Sequence, residues 1–179
     1  MSILKVARMG HPVLRAKARP LEKADLRSAA IQQLIDDMLE TMAEYHGVGL
    51  AAPQVHESVR IFVADLHHHD EDEDDSHDHD PIAIINPEIQ IVGSDVVEDW
   101  EGCLSIPDIR GRVPRPREIK VRAFNRKGER IELSAHDFPA RVILHETDHL
   151  DGVLFFDRMR AFDSLTFLDE YARYWAKND

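Results

Sequence analysis

The chain has 179 residues, of which 43% are hydrophobic and 31% charged. That length and balance suit one domain with a single sizeable core, and no apolar run approaches the length of a bilayer span. The net charge of -12 is concentrated: residues 67–80, HHHDEDEDDSHDHD, carry eight carboxylates and no Lys or Arg. The remainder is only mildly acidic, with no basic footprint for nucleic acid or for an anionic membrane.

Residues 3–20 read as extended or irregular, with turn signals at Gly10 and Pro12. They contain no apolar segment of signal-peptide length. A lone cysteine, Cys103, fits a reducing compartment, so a cytoplasmic protein is expected. From 24 to 46 the pattern is helical. Leu26, Ala30, Leu34, Met38 and Met42 recur at four-residue steps, with Ile31, Ile35 and Leu39 alongside. Gly47 takes the place of a helix C′ glycine. Residues 59–66, VRIFVADL, form a strand. Residues 67–80 cannot bury a core and are expected to be a disordered loop.

A second strand region spans 81–92, interrupted by Pro87. Further strands are expected at 95–100, 118–125 and 129–134, with Asn125–Gly128 as a hairpin turn. A helix starts near Pro139 and ends near Gly152, and a last helix runs from about 163 to 177, with Leu165, Leu168, Tyr171, Ala172 and Trp175 on one side. This order predicts an α+β fold with mostly antiparallel sheet. The expected frame is a central metal-binding H-E-x-x-H helix, a long N-terminal helix and a C-terminal helix, in one domain over 1–179.

The chemistry concentrates in ARVILHETDHLDG, residues 140–152. On a helix, His145 and His149 lie about 40° apart and present both imidazoles to one point. Glu146 is about 100° round, within reach of a ligand on a metal without being a ligand itself. A catalytic metal site takes three protein ligands and keeps one position open. A metzincin third histidine fails, because that position holds Phe155. Glu170 offers a thermolysin-like third ligand on a later helix. Cys103, as a thiolate, is the other candidate.

Three segments together are similar to the motifs of the peptide deformylase family. They are GVGLAAPQ at 47–54, EGCLS at 101–105 and HETDH at 145–149, in the family's order. INPEI at 85–89 and RVPR at 112–115 are similar as well. The resemblance implies one divalent metal per chain, held by Cys103, His145 and His149. It points to Fe2+ as the native ion, with Zn2+, Ni2+ or Co2+ as possible substitutes. It implies hydrolysis of the formyl group of N-formylmethionine on newly made polypeptides, with release of formate. Glu146 would be the general base, and the Gln54 amide and the Leu104 N–H the oxyanion donors. Val48, Gly49, Leu50 and Val142 are expected around the substrate, with Arg110 on the peptide backbone or a carboxylate. Glu101 and Arg115 are expected to pair and brace the Cys103 loop. Expected partners are formylmethionyl nascent peptides, with transient ribosome association. Thr147 departs from the family, which has a larger hydrophobic residue there. The alternatives are a metallopeptidase using Glu170 and a metal-binding protein without catalysis.

Overall fold

The computed structural model describes residues 2–66 and 80–176. The expected disordered loop at 67–80 thus falls, but for Asp80, outside the described residues. Helix α1 is Ala29–Glu44. It begins later than the hydrophobic periodicity predicts because Ser28 caps it, Oγ accepting from the Ile31 N–H. Leu26 is still core, but it enters from a turn. The end of α1 also differs from expectation. His46 takes the left-handed C′ position (φ 52°), its N–H donates to Ala43 O, and the Gly47 N–H donates to Met42 O. That is a Schellman closure with histidine at C′ and glycine one place beyond. Gly47 is small for another reason: a Cβ there would stand 3.0 Å from Leu104 Cδ1.

Strand β1 is Gly49–Ala51, and a 3-10 turn over Ala52–Val55 follows it. Then come β2, Ile61–Ala64, β3, Ile82–Cys103, β4, Ile106–Phe124, and β5, Arg130–His136. Helix α2 is Asp137–Leu150, and the chain closes with β6, Thr166–Phe167, and α3, Leu168–Tyr174. The sheet runs β1-β2-β3-β4-β5 with β6 added to β4, and every pairing is antiparallel.

Two expected interruptions are absorbed by the sheet. Pro87 lies in a bulge, where the β3–β4 register shifts between Ile85 and Glu88 and Asn86 has a positive φ. Residues 95–100 are continuous with β3, and β4 begins twelve residues before the strand expected at 118. The last helix is shorter than expected because residues 166–167 pair with Ile109 and Arg110. No residue of α3 is fully buried. It leans on Trp100, whose ring meets Tyr171 at 4.9 Å and Trp175 at 5.8 Å.

The sheet packs between two layers. Phe62, Ile84, Ile119, Val121 and Ala51 meet Val142 and Ile143 of α2. On the opposite face Leu50, Ile61, Val63 and Ile85 meet Ile35, Met38 and Met42 of α1. Each large apolar side chain so buried contributes roughly 1.5–3 kcal/mol. A third cluster gathers Leu14, Ile106, Val113, Leu154 and Phe155 around Cys103. No helix among the described residues is long and apolar enough to cross a membrane.

Candidate metal centre

The β3–β4 hairpin and α2 meet at Cys103. Cys103 pairs with Ile106, so Leu104 and Ser105 make a two-residue turn, which leaves the Leu104 N–H outside the ladder. From α2, one helical turn brings His145 and His149 to the same point. Cys103 Sγ lies 3.2 Å from His149 Nε2, and the donor atoms of Cys103, His145 and His149 all fall within 4.8 Å of one another. Glu170 is not among them. It sits half-exposed on α3, paired with Arg173 at 3.0 Å, and that corrects the thermolysin-like reading.

The donor set has the chemistry a borderline divalent metal requires. Burial opposes ionisation of Cys103, but the imidazoles of His149 and His145 outweigh it and hold the thiol well below its ordinary range. Burial likewise opposes charge on His145, and Cys103 and Glu101 outweigh it, raising the imidazole's pKa. His145 Nδ1 lies 2.9 Å from Glu101 Oε2, which leaves Nε2 for the cluster. A thiolate and two imidazoles in a buried pocket fit a four-coordinate site with one open position.

Behind the donors stands a buried ionic network, including the expected Glu101–Arg115 pair. Arg115 Nε and Nη2 donate to the two Glu101 oxygens at 2.8 and 2.9 Å, and Nη1 donates to Asp148 Oδ2 at 2.5 Å. Arg141 adds a bond to Glu101 Oε1 at 2.8 Å and clamps Val113 O and Val97 O, both at 2.8 Å. Burial works against the Glu101 charge, but Arg115 and His145 hold its carboxyl far below the usual range. Arg141 and Asp148 were not anticipated. Their spacing could have shown them, since Arg141 precedes His145 by four and Asp148 follows it by three.

A cavity of about 770 Å³ opens onto this cluster. Val48, Gly49, Gln54, Leu104, Arg110, Val142, His145 and Glu146 line it, together with Trp100, Pro107 and Phe138. Leu50 does not line it. Side chains alternate along β1, so Leu50 points into the core against α1, while Gly49 and Ala51 face α2. A Cβ on Gly49 would fall 2.4 Å from Glu146 Oε1, so the glycine lets the carboxylate lie against the strand. Burial pushes Glu146 up to about 7, against the opposing influence of His145 and His149. Gln54 is buried. Its Oε1 accepts from the Ala51 N–H at 2.8 Å, which aims Nε2 at Ser105 Oγ (3.2 Å) and Cys103 Sγ (3.5 Å). Thr147 is buried as well, with Oγ1 lacking a partner among the described residues.

A thiolate, two imidazoles and a neighbouring helical carboxylate at the foot of a cavity define the class of metal-dependent hydrolases. Residues 3–164 match the polypeptide deformylase family. The chain is 42% identical to peptide deformylase 2 of Nostoc sp. over 98% of its own length and 97% of that protein. It is 46% identical to peptide deformylase 1 of Clostridium acetobutylicum over 89% and 96% of the two chains. A ligand-bound class I type b peptide deformylase from Acinetobacter baumannii superposes with a TM-score of 0.80 at 38% identity, covering 89% of this chain and all of that one. The peptide deformylase of Thermotoga maritima gives 0.79 at 39% identity, with 90% and 100% covered. The chain belongs to the polypeptide deformylase family, hydrolases that remove the N-terminal formyl group from nascent peptides.

Proposed function

We propose that this chain deformylates N-formylmethionyl nascent peptides in the cytoplasm, using one divalent metal, natively Fe2+, held by Cys103, His145 and His149. The observation that carries the reading is the convergence of those three donors with Glu146 on one cavity. A metal there supplies Lewis acidity and lowers the pKa of water. Zn2+, Ni2+ and Co2+ suit the same donors.

The chain's own groups then divide the work. Glu146, poised at about 7 by burial, takes a proton from the attacking water and returns it to the departing amine nitrogen. The Gln54 Nε2 amide, fixed by the Ala51 N–H, and the Leu104 N–H at the hairpin corner donate to the oxyanion. Donors of this kind contribute about 3–4 kcal/mol each in other enzymes. Glu101 orients His145 through Nδ1. Val48 and Val142 flank the methionine side chain, and the peptide lies extended beside β1. Transient contact with the ribosome would place the enzyme where its substrate emerges.

The test is formate release from a formyl-Met dipeptide by protein loaded anaerobically with Fe2+. Wild type should release formate, and Glu146→Ala should keep the metal and lose activity by about 10²–10⁴-fold. Cys103→Ser should lower metal content. A folded, metal-loaded wild type that released no formate would overturn the reading.

A further inference from the structure

Lys5 and Arg8 line the mouth of the same cavity, and both are exposed. Their backbone is pinned at three points. The Leu4 N–H donates to Thr41 Oγ1 at 2.8 Å, the Ala7 N–H to Gln54 O at 2.7 Å and the Met9 N–H to Ser105 O at 2.8 Å. Gln54 Nε2 in turn reaches both Cys103 Sγ and Ser105 Oγ, so the N-terminal segment is a fixed wall of the entrance. Arg110 lies on β4, paired with Gly102. A Cβ on Gly102 would fall 1.4 Å from Arg110 Nη1, so the guanidinium rests directly on the glycine beside Cys103.

Among the described residues Lys5, Arg8 and Arg110 form no ion pair. Several arginines elsewhere are matched, Arg60 with Asp151, Arg117 with Asp137 and Arg126 with Asp36. The chain as a whole is acidic, with a net charge of -12, yet unpaired cations collect at this opening. Asp108 is the carboxylate sharing that rim. Glu101 and Glu146 lie buried below it, and Glu101 is committed to Arg115, Arg141 and His145.

We infer that Lys5, Arg8 and Arg110 form a cationic collar that favours formylmethionyl peptides carrying carboxylate side chains in the residues just after the methionine. The inference rests on the deformylase reading and adds a substrate preference to it. The cations line the cavity wall that an emerging peptide must pass, which favours substrate carboxylates over nucleic-acid phosphates as their partners. Exposed charge pairs are modest, about two- to five-fold each, and screened by salt.

The test uses formyl-Met peptides, amidated at the C-terminus, with Glu, Gln or Lys at the second, third or fourth residue. Wild type and Lys5→Glu/Arg8→Glu enzymes are compared by kcat/KM. Glu should exceed Gln and Gln exceed Lys at one or more positions, with a Glu-to-Lys ratio of about tenfold at low salt. The ratio should collapse at about 0.5 M salt and invert in the charge-reversed variant. Equal turnover of Glu and Lys peptides at every position, with the Gln peptides turned over, overturns the collar and leaves the deformylase reading standing. A preference that survives charge reversal or high salt also overturns the collar. No formate from any peptide overturns the deformylase reading and the collar with it.

Discussion

Gly49→Ala tests the link between fold and chemistry most directly. Gly49 sits in β1 with extended backbone, so alanine adds no conformational strain there. The added Cβ would meet Glu146 Oε1 at 2.4 Å, Cδ at 2.7 Å and Cγ at 2.9 Å. Ordinary contact is about 3.4 Å or more, so the carboxylate must retreat by roughly 1 Å. Glu146 is buried and cannot swing into solvent without leaving the cluster. A misplacement of that size costs about 10²-fold in rate, so kcat/KM should fall about a hundredfold. Metal content should hold, because Cys103, His145 and His149 are untouched. The assay is formate release with metal analysis on the same preparation. A second arm isolates the cause: in a Glu146→Ala background the Gly49 substitution should cost nothing further, since the group it displaces is gone. A Gly49→Ala enzyme within threefold of wild type, or an additive loss in the double variant, would refute the reasoning.

The buried network and the two perturbed carboxyls give three more expectations. Arg115→Met removes the shared partner of the buried Glu101 and Asp148 carboxylates, leaving Glu101 to Arg141 and His145 and Asp148 to the half-exposed Arg158, and should destabilise the protein by about 3 kcal/mol in urea unfolding; a loss below about 1 kcal/mol would mean the network is not holding the hairpin to α2. Glu101 has a folded pKa far below its unfolded value of 4.5. Its stabilisation is therefore complete above that value and drains away as pH falls through it towards the folded pKa. Metal-free wild type should lose stability more steeply below about pH 4.5 than Glu101→Gln, and parallel acid unfolding curves would sink the argument. Glu146, pushed up to about 7, must be deprotonated to act. So kcat/KM should rise with pH along an acid limb at or below neutrality, the metal's positive charge moving it downward. Stopped formate assays across that range check it, and activity that falls as pH rises through the limb would assign the base elsewhere.

What could be read from the residues depended on how locally each feature is specified. The α1 and α2 helices carry four-residue spacings, and the His145–His149 pair follows from one helical turn, so both were visible without tertiary information. The start of α1 was misplaced because Leu26 keeps the apolar period while Ser28 ends the preceding turn. The β3–β4 ribbon is under-read in the sequence because Pro87 looks like a breaker. In the folded chain Pro87 falls in a bulge, while Pro114 and Pro116 lie opposite Glu98 and Val96, where the two strands pair without other strands beside them. The motif groups Leu50 with the cavity residues, but the two-residue period of β1 turns it to the other face.

Cys103 lies forty-two residues from His145, and no local period joins them. Their union rests on the hairpin turn at Leu104–Ser105 and on Arg141 and Glu101 holding that hairpin to α2. Arg110 is visible beside the Cys103 motif, but Lys5 and Arg8 at the mouth are further from view still. Nothing in the order of residues 3–9 says that Ala7 will donate to Gln54 and Met9 to Ser105. Those two bonds turn an irregular N-terminal segment into a wall of the site. Features set by one element's own geometry are therefore legible early, and features set by backbone bonds between distant segments emerge only once the chain is folded. The preference at the entrance, which depends wholly on such bonds, should thus vary between relatives more freely than the cluster it guards.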